Sequence, residues 1–169
     1  MKIFNLHGYK GEAHNAAWGA WNALGCEVVS PKFDYDMGNP AERVQSAFES
    51  LNADLICGTS LGGFYAAMLA AKCDKPLVLV NPCLMSFYWL PKLGYKGNII
   101  NFIKPFVTFT DIFPNRVFVI VGGKDEVITS HKIDKRLFGD ERVKVISDGM
   151  HSGATLPLEE FFADVLKEI

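Results

Sequence analysis

Apolar and polar positions along the 169-residue chain follow two alternating patterns. Short apolar runs rich in β-branched residues predict six strands, and longer segments with apolar residues at helical spacing predict five helices. Strands that alternate with helices favour parallel crossovers, and nearly unbroken apolar strands fit a sheet covered on both faces. We therefore predict an α/β fold, a three-layer αβα sandwich with a mostly parallel sheet of about six strands. The predicted strands are residues 2–6, 26–29, 53–57, 77–81, 116–121 and 142–147, and the predicted helices are residues 14–24, 40–51, 61–72, 130–138 and 157–169.

Residues 82–115 interrupt this alternation. The segment contains four prolines, two glycines and eight aromatic residues without a clear period. Connections longer than about 12–15 residues are uncommon in compact domains and are often lids or binding loops. We predict a single domain over residues 1–169 in which residues 82–115 form a small cap or lid insertion. An irregular helical segment packed on the core is the alternative.

Composition and charge limit the binding partners and the cellular compartments that we expect for this protein. The chain has 17 basic and 19 acidic residues and a net charge of -2 without a basic stripe, so we do not expect it to bind nucleic acid. Four cysteines without C-x-x-C spacing predict reduced core residues. The amino terminus lacks the apolar stretch of a signal peptide, and no window approaches the ~18 apolar residues of a membrane span. We expect a cytoplasmic protein.

A G-x-S-x-G sequence, Gly58 to Gly62, joins the predicted strand 53–57 to the predicted helix 61–72. This strand–turn–helix context is the one that a nucleophile elbow requires, because the flanking glycines leave room for a serine on a tight turn. Ser60 is therefore the candidate nucleophile. Two alternatives stay open: Ser60 as a simple helix N-cap, and the glycine-rich turn as a phosphate cradle, although the turn lacks the lysine of a P-loop.

An activated serine needs a base and an acid, and both follow later strands. Asp125 comes after the strand at 116–121, and His151 lies in a glycine-flanked loop after the strand at 142–147. The chain order of serine, acid and base is that of α/β hydrolases. Glu126 is a rival for the acid, and Asp125 is alternatively a helix cap. The histidines at 14 and 131 fall in or at the start of predicted helices and are weaker candidates for the base.

Two main-chain N–H groups are candidates for an oxyanion hole. The N–H of Leu61 directly follows the candidate nucleophile, and Gly8 after the first strand lets the N–H of Tyr9 face inward. A plain turn at His7–Gly8 is the alternative. The four histidines are scattered and form no H-x-x-x-H pair, so no metal site is predicted.

Together the stretches LHGYKG, GTSLGGFYA, GGKDEV and GMHSG resemble the α/β-hydrolase superfamily. The SLGGFYA continuation and the short chain are similar to the small bacterial YqiA/YcfP-type (UPF0227-like) esterases. The resemblance implies a trimmed, minimal α/β-hydrolase fold and a serine esterase without metal or cofactor. It implies Ser60 as nucleophile, Asp125 as acid and His151 as base, with Tyr9 and Leu61 as oxyanion donors.

The expected activity is that of a carboxylesterase on small, short-chain acyl esters through an acyl-enzyme intermediate. Apolar residues of the 82–115 segment, with Phe87, Tyr88 and Trp89 first, are expected to line the acyl side. A thioesterase or amidase is an alternative, because a Ser-His-Asp arrangement does not select the leaving group. A non-catalytic ligand-binding protein with the same fold is another. The sequence leaves the physiological substrate and the oligomeric state open.

Overall fold

In a computed structural model that describes residues 1–169, the six predicted strands form one sheet. Their order across the sheet is β2-β1-β3-β4-β5-β6, and every neighbouring pair is parallel. The predicted α/β class with a parallel sheet is therefore confirmed. The strands are β1 (Lys2–Leu6), β2 (Glu27–Val29), β3 (Leu55–Thr59), β4 (Leu77–Val80), β5 (Val117–Gly122) and β6 (Val143–Ile146).

Seven α-helices accompany the sheet, five of them inside the segments predicted to be helical. Helices α1 and α7 pack together on one face, where Trp21 stacks on Phe162 with ring centroids 4.0 Å apart. Helices α2 and α3 cover the other face, which gives the predicted three layers. No helix is long and apolar enough to cross a membrane. The helices are α1 (Ala16–Ala23), α2 (Pro40–Glu49), α3 (Leu61–Ala70), α4 (Ser86–Trp89), α5 (Ile103–Val107), α6 (Lys132–Phe138) and α7 (Leu158–Glu168).

Alternate side chains of the central strands enter two separate hydrophobic clusters. On β3, Ile56 belongs to the cluster under α2 and α3, whereas Leu55 and Cys57 belong to the cluster under α1 and α7. All three side chains are fully buried. Because both faces are covered, the strand carries no alternation of polar and apolar residues, as expected for a parallel sheet.

Helix α3 begins directly at the end of β3, and two glycines make this possible. A Cβ atom on Gly62 would lie 2.3 Å from the carbonyl oxygen of Leu6, and one on Gly58 would lie 2.4 Å from the carbonyl oxygen of Gly62. Neither contact is sterically allowed. The close approach of β1, β3 and α3 therefore requires glycine at both positions.

The segment at 82–115 folds into the short helices α4 and α5 and several turns of 3₁₀-helix. Phe102 and Phe109 are buried and pack edge-on against Phe64 of α3, with centroid distances of 5.1 and 5.3 Å. The segment therefore packs on the core through its aromatic side chains. That it also moves as a lid stays a prediction. We call residues 82–115 the cap segment below.

The glycine at 62 provides a test of this packing. We expect Gly62→Ala to lower the free energy of unfolding by about 1–3 kcal/mol, because the added methyl group overpacks the contact with Leu6. The control is Gly19→Ala inside α1, where nothing lies within 4 Å of the added methyl group. This control should raise stability by about 0.5–1 kcal/mol. Urea unfolding of both variants checks the prediction, and equal effects would contradict it.

Candidate active site

Ser60 occupies a strained turn between β3 and α3. Its backbone has φ 52° and ψ -120°, a region that costs a non-glycine residue about 1–3 kcal/mol. Three main-chain hydrogen bonds hold it there: Ser60 N donates to Val80 O at 3.0 Å, and Gly63 N and Cys83 N each donate to Ser60 O at 2.9 Å. Ser60 stands at the N-cap position of α3, but its hydroxyl makes no capping hydrogen bond. The Oγ atom is therefore available to another partner.

That partner is His151, in the loop after β6. Its Nε2 atom lies 3.1 Å from Ser60 Oγ, and its Nδ1 atom lies 2.9 and 3.0 Å from the two carboxylate oxygens of Asp125. The Asp125 side chain is 1% exposed and the His151 side chain 18%. The structure thus brings together the three predicted residues, from the ends of β3, β5 and β6, in the order hydroxyl, imidazole and carboxylate.

The Asp125 carboxylate has further hydrogen bonds. Its Oδ1 atom accepts from the main-chain N–H groups of Val127 and Ile128 at 2.8 and 2.7 Å. Burial alone would raise the pKa of Asp125, but hydrogen bonds from His131, His151 and Ile128 outweigh it and hold the pKa well below its usual range. Asp125 therefore both shapes its turn and stays ionised opposite His151.

The His151 loop is fixed by two side chains outside the Ser60–His151–Asp125 set. Glu126, the predicted rival of Asp125, accepts a hydrogen bond from the main-chain N of His151 at 3.1 Å and makes no hydrogen bond with the ring. Asn81, fully buried just after β4, donates to the carbonyl oxygens of Met150 and His151 at 2.9 and 2.8 Å. Its Oδ1 accepts from Gly122 N at 2.7 Å. Asn81 thus ties β4, β5 and the His151 loop together.

The loop after β1 lies against Ser60. A Cβ atom on Gly8 would sit 3.1 Å from Ser60 Cβ, so the glycine permits this approach. His7 is fully buried: its Nε2 accepts from Phe33 N at 2.8 Å, so its Nδ1 carries the proton and donates to Gly8 O at 2.7 Å. Burial lowers the pKa of His7, which keeps the ring neutral. His7 therefore anchors this loop.

Of the two predicted oxyanion donors, Leu61 directly follows Ser60 in the chain, and Tyr9 belongs to the loop after β1 that lies against Ser60. The main-chain N–H of Tyr9 donates to no acceptor in the protein, and Leu61 is the first residue of α3, where N–H groups lack intrahelical partners. The Tyr9 hydroxyl donates to the carboxylate of Asp36 at 3.0 and 3.1 Å. Burial and this hydrogen bond raise the pKa of Tyr9 to about 12. The side chain of Tyr9 is thereby held while its N–H stays free.

The three predicted substrate-binding residues occupy different environments. Tyr88 and Trp89 line a cleft of about 430 Å³ together with Met85 and Ser130. Phe87 points elsewhere and packs edge-on against Phe106, with ring centroids 5.3 Å apart. Ser60 does not line this cleft.

The pair His131 and Asp134 lies directly behind Asp125, and sequence reasoning missed it. His131 Nε2 is 3.2 Å from Asp125 Oδ2, and His131 Nδ1 is 2.6 Å from Asp134 Oδ2. Since both ring nitrogens face carboxylates, the imidazole is a cation. Burial lowers the pKa of His131, but the hydrogen bonds to Asp125 and Asp134 outweigh it and raise the pKa to about 9. The H-x-x-D spacing at the start of α6 was the available signal.

Asp134 is fully buried, and one of its carboxylate oxygens, Oδ1, has no hydrogen-bond partner. A lone carboxylate in this position would be costly, so the cation of His131 is what makes its burial tolerable. The thiol of Cys83 also lies near these two carboxylates, and burial raises its pKa to about 12, so it carries no charge at neutral pH. At neutral pH, His131 is therefore the positive charge between Asp125 and Asp134.

The cysteine thiols do not compete with Ser60 as candidate nucleophiles. All four cysteines are free, as predicted, and burial raises the pKa of each thiol, which makes them weak nucleophiles. No group of three His, Cys, Asp or Glu side chains has the arrangement of a metal site.

Several solved structures share this fold. A protein described as a hydrolase of the alpha/beta superfamily from Xanthomonas campestris has a TM-score of 0.68 at 18% identity, covering 99% of each chain. An alpha-beta serine hydrolase homologue from Coxiella burnetii has a TM-score of 0.66 at 17% identity, covering 100% of this chain and 85% of that one. An alpha/beta hydrolase enzyme from a sediment metagenome of the Mar Chica lagoon, Morocco, has a TM-score of 0.64 at 17% identity, covering 99% and 89%.

At these identities the similarity shows the alpha/beta-hydrolase fold and does not transfer an activity. A search of the curated proteins found no match to the sequence. The model of the uncharacterised protein family UPF0227 matches residues 6–156, a span that includes Ser60, Asp125 and His151. The chain therefore belongs to the uncharacterised protein family UPF0227, and it has the alpha/beta-hydrolase fold.

Proposed function

We propose that the protein is a serine hydrolase, a carboxylesterase that cleaves small, short-chain acyl esters. One observation carries the proposal: on a strained turn, the Oγ atom of Ser60 lies 3.1 Å from Nε2 of His151, whose Nδ1 faces the ionised Asp125. A base within hydrogen-bond reach of the hydroxyl, oriented by an acid, is what serine nucleophiles require.

The proposed reaction has two stages. In the first, His151 accepts the hydroxyl proton while Ser60 Oγ attacks the ester carbonyl, and the tetrahedral intermediate expels the alcohol, which takes the proton from His151. In the second, His151 deprotonates a water molecule that attacks the acyl-enzyme, and the acid product leaves as Ser60 regains its proton. Asp125 stabilises the imidazolium of His151 in both stages.

The main-chain N–H groups of Leu61 and Tyr9 are the proposed donors to the oxyanion. Each such donor typically contributes about 2.7–4 kcal/mol to the transition state when it is preorganised. The buried ring of His7 and the close approach of Gly8 to Ser60 support preorganisation of the Tyr9 side of the site. The acyl-side role of Tyr88 and Trp89 stays a prediction, because Ser60 does not line their cleft.

His131 acts in this proposal as a positioning residue, because it contacts Asp125 and no reacting atom. Its N–H bond orients the carboxylate, but a lone cation at this point would draw the charge of Asp125 away from His151. Asp134 offsets that cation. Burial raises the pKa of Asp134, and the hydrogen bond and charge of His131 oppose that shift. With both groups charged, the two carboxylates and one imidazolium leave one net negative charge facing His151.

Activation of Ser60 can be measured without knowledge of the substrate. A fluorophosphonate should add once to the wild-type protein, detected by intact mass, and should not add to Ser60→Ala. His151→Ala should react at least about a thousandfold more slowly, because the hydroxyl loses its base. His14→Ala is the matched histidine control, since that exposed ring only stacks on Trp18, and should label like the wild type.

Labelling of the Ser60→Ala variant would assign the adduct to another residue and refute the proposed nucleophile. Absence of any adduct on the folded wild type, alongside a labelled reference serine hydrolase, would favour the ligand-binding alternative.

The positioning role of His131 predicts a specific change in kinetics. Asp134→Asn should lower kcat about tenfold, roughly 1.4 kcal/mol, with KM unchanged, because the uncompensated cation weakens the support that Asp125 gives to His151. The acidic limb of the kcat/KM profile should also move to lower pH, since the His151 imidazolium is less stable. The control is Asp164→Asn, an exposed carboxylate paired with Lys167. A fall in kcat without movement of the limb would indicate a structural role only.

The same pair predicts how stability depends on pH. The folded-state pKa of His131, about 9, is above its ordinary value of 6.5, so its stabilising contribution is complete below pH 6.5 and is lost as pH rises through 9. Wild type should lose up to about 3 kcal/mol over this range relative to His131→Gln, since one pKa unit corresponds to about 1.4 kcal/mol. Urea unfolding at several pH values measures the difference. Parallel stability curves for the two proteins would contradict the prediction.

A further inference from the structure

Charge is segregated between the cap segment and the rest of the molecule. From Lys75 to Thr110 the chain has no aspartate or glutamate, and it contains four lysines. Because the whole chain has a net charge of -2, the remainder is correspondingly more acidic. Lys92, Lys96 and Lys104 are exposed and form no salt bridge, whereas six of the ten other lysines pair with carboxylates. The ammonium group of Lys92 lies over the rings of Tyr88 and Trp89, 3.6 and 4.8 Å from their centroids, and Lys96 and Lys104 have no such partner.

The same segment exposes aliphatic side chains on its outer side. Ile100, Ile103 and Val107 are 66%, 45% and 62% exposed, and their spacing of three and four residues places them on one side of the helical stretch. Seven of the twelve large hydrophobic residues exposed in the whole chain lie between residues 88 and 113. They are Tyr88, Leu93, Ile99, Ile100, Ile103, Val107 and Phe113.

The helical stretch at residues 99–109 is amphipathic, because its inner side carries buried side chains. Phe102 and Phe109 are 3% and 0% exposed and lie against Phe64, so the backbone of the stretch is anchored to α3. The aliphatic groups consequently point outward from a fixed platform. Contiguous exposed apolar groups of this kind mark interaction surfaces.

The chemistry of this surface indicates whether a lipid layer or a second copy of the chain binds to it. Aliphatic side chains flanked by unpaired lysines fit a layer that is apolar inside and anionic at its boundary, which is the structure of an acidic lipid surface. A second copy of the chain would bring like-charged lysines together across a two-fold axis, which is unfavourable. The charge pattern therefore favours lipid over self-association.

We propose that residues 92–107 form a docking surface for an anionic lipid bilayer. Leu93, Ile99, Ile100, Ile103 and Val107 enter the boundary between headgroups and acyl chains, and Lys92, Lys96 and Lys104 contact the lipid phosphates. The protein docks peripherally, and no helix spans the bilayer. This inference does not depend on the hydrolase activity proposed above. Tyr95, within the same stretch of chain, packs edge-on against Tyr9 with ring centroids 5.8 Å apart, so docking would place the bilayer beside the candidate site.

Co-sedimentation of the full chain with lipid vesicles tests the proposal. Vesicles of phosphatidylcholine that contain about 30% phosphatidylglycerol should bind the protein at least about tenfold more tightly than phosphatidylcholine alone, and added salt should weaken this binding. The charge reversal K96E/K104E should lower affinity at least about tenfold. K72E/K167E, two exposed lysines outside the segment with the same change in net charge, should bind like the wild type.

The variant I100S/V107S tests the apolar contribution to vesicle binding. Both side chains are more than 60% exposed, so the melting temperature should not change. Binding to the acidic vesicles should become weaker. Lack of binding to the acidic vesicles by the wild type would overturn the proposal. Equal losses in the two charge-reversal variants would also overturn it, because the attraction would then be unspecific. A dimer seen by light scattering that I100S/V107S dissociates, without vesicle binding, would assign the surface to a second copy.

Discussion

The backbone of Ser60 is the constraint on which the candidate site depends. A positive φ at a non-glycine residue is unfavourable by about 1–3 kcal/mol and persists only where the surroundings fix it. Here the fixing groups are Gly58 and Gly62, which let β1, β3 and α3 approach, and hydrogen bonds from the turn to Val80 and Cys83. The direction of the Ser60 Cα–Cβ bond is thus set by the packing of the sheet and α3.

The parallel sheet converts distant positions in the chain into neighbours. Residues 60, 125 and 151 each follow a different strand, and in a parallel sheet the strand ends emerge at one edge. Adjacent ends alone do not fix side-chain distances to 3 Å. Asn81 supplies that accuracy, because its amide bonds to β5 and to both carbonyls of the His151 loop. A buried polar side chain whose donors and acceptor all have partners holds the arrangement rigid.

Local patterns in the sequence were sufficient for the elements and for the order of Ser60, Asp125 and His151. All six strands overlap the predicted segments, although β3 and β5 run past their predicted ends, and five of the helices fall within them, because apolar runs and glycine turns are short-range signals. The contacts of Asn81 and His131 depend on strand register and side-chain direction, which a single sequence does not encode locally. Two neighbouring residues of the cap segment show the same limit of prediction from sequence. Tyr88 faces a cleft, whereas Phe87 packs against Phe106.

The burial of Asp134 is informative because it is costly. A buried ion pair is often less stable than apolar residues of the same volume, so the stability of the fold alone does not account for His131 and Asp134 at these positions. The position of this pair accounts for it better than its contribution to stability does. Asp134 bonds to His131, and His131 bonds to Asp125, the carboxylate that faces the His151 ring. A carboxylate whose orientation and net charge are fixed from behind can support a cation in front of it. The side chains at the start of α6 therefore belong to the chemistry proposed for Ser60.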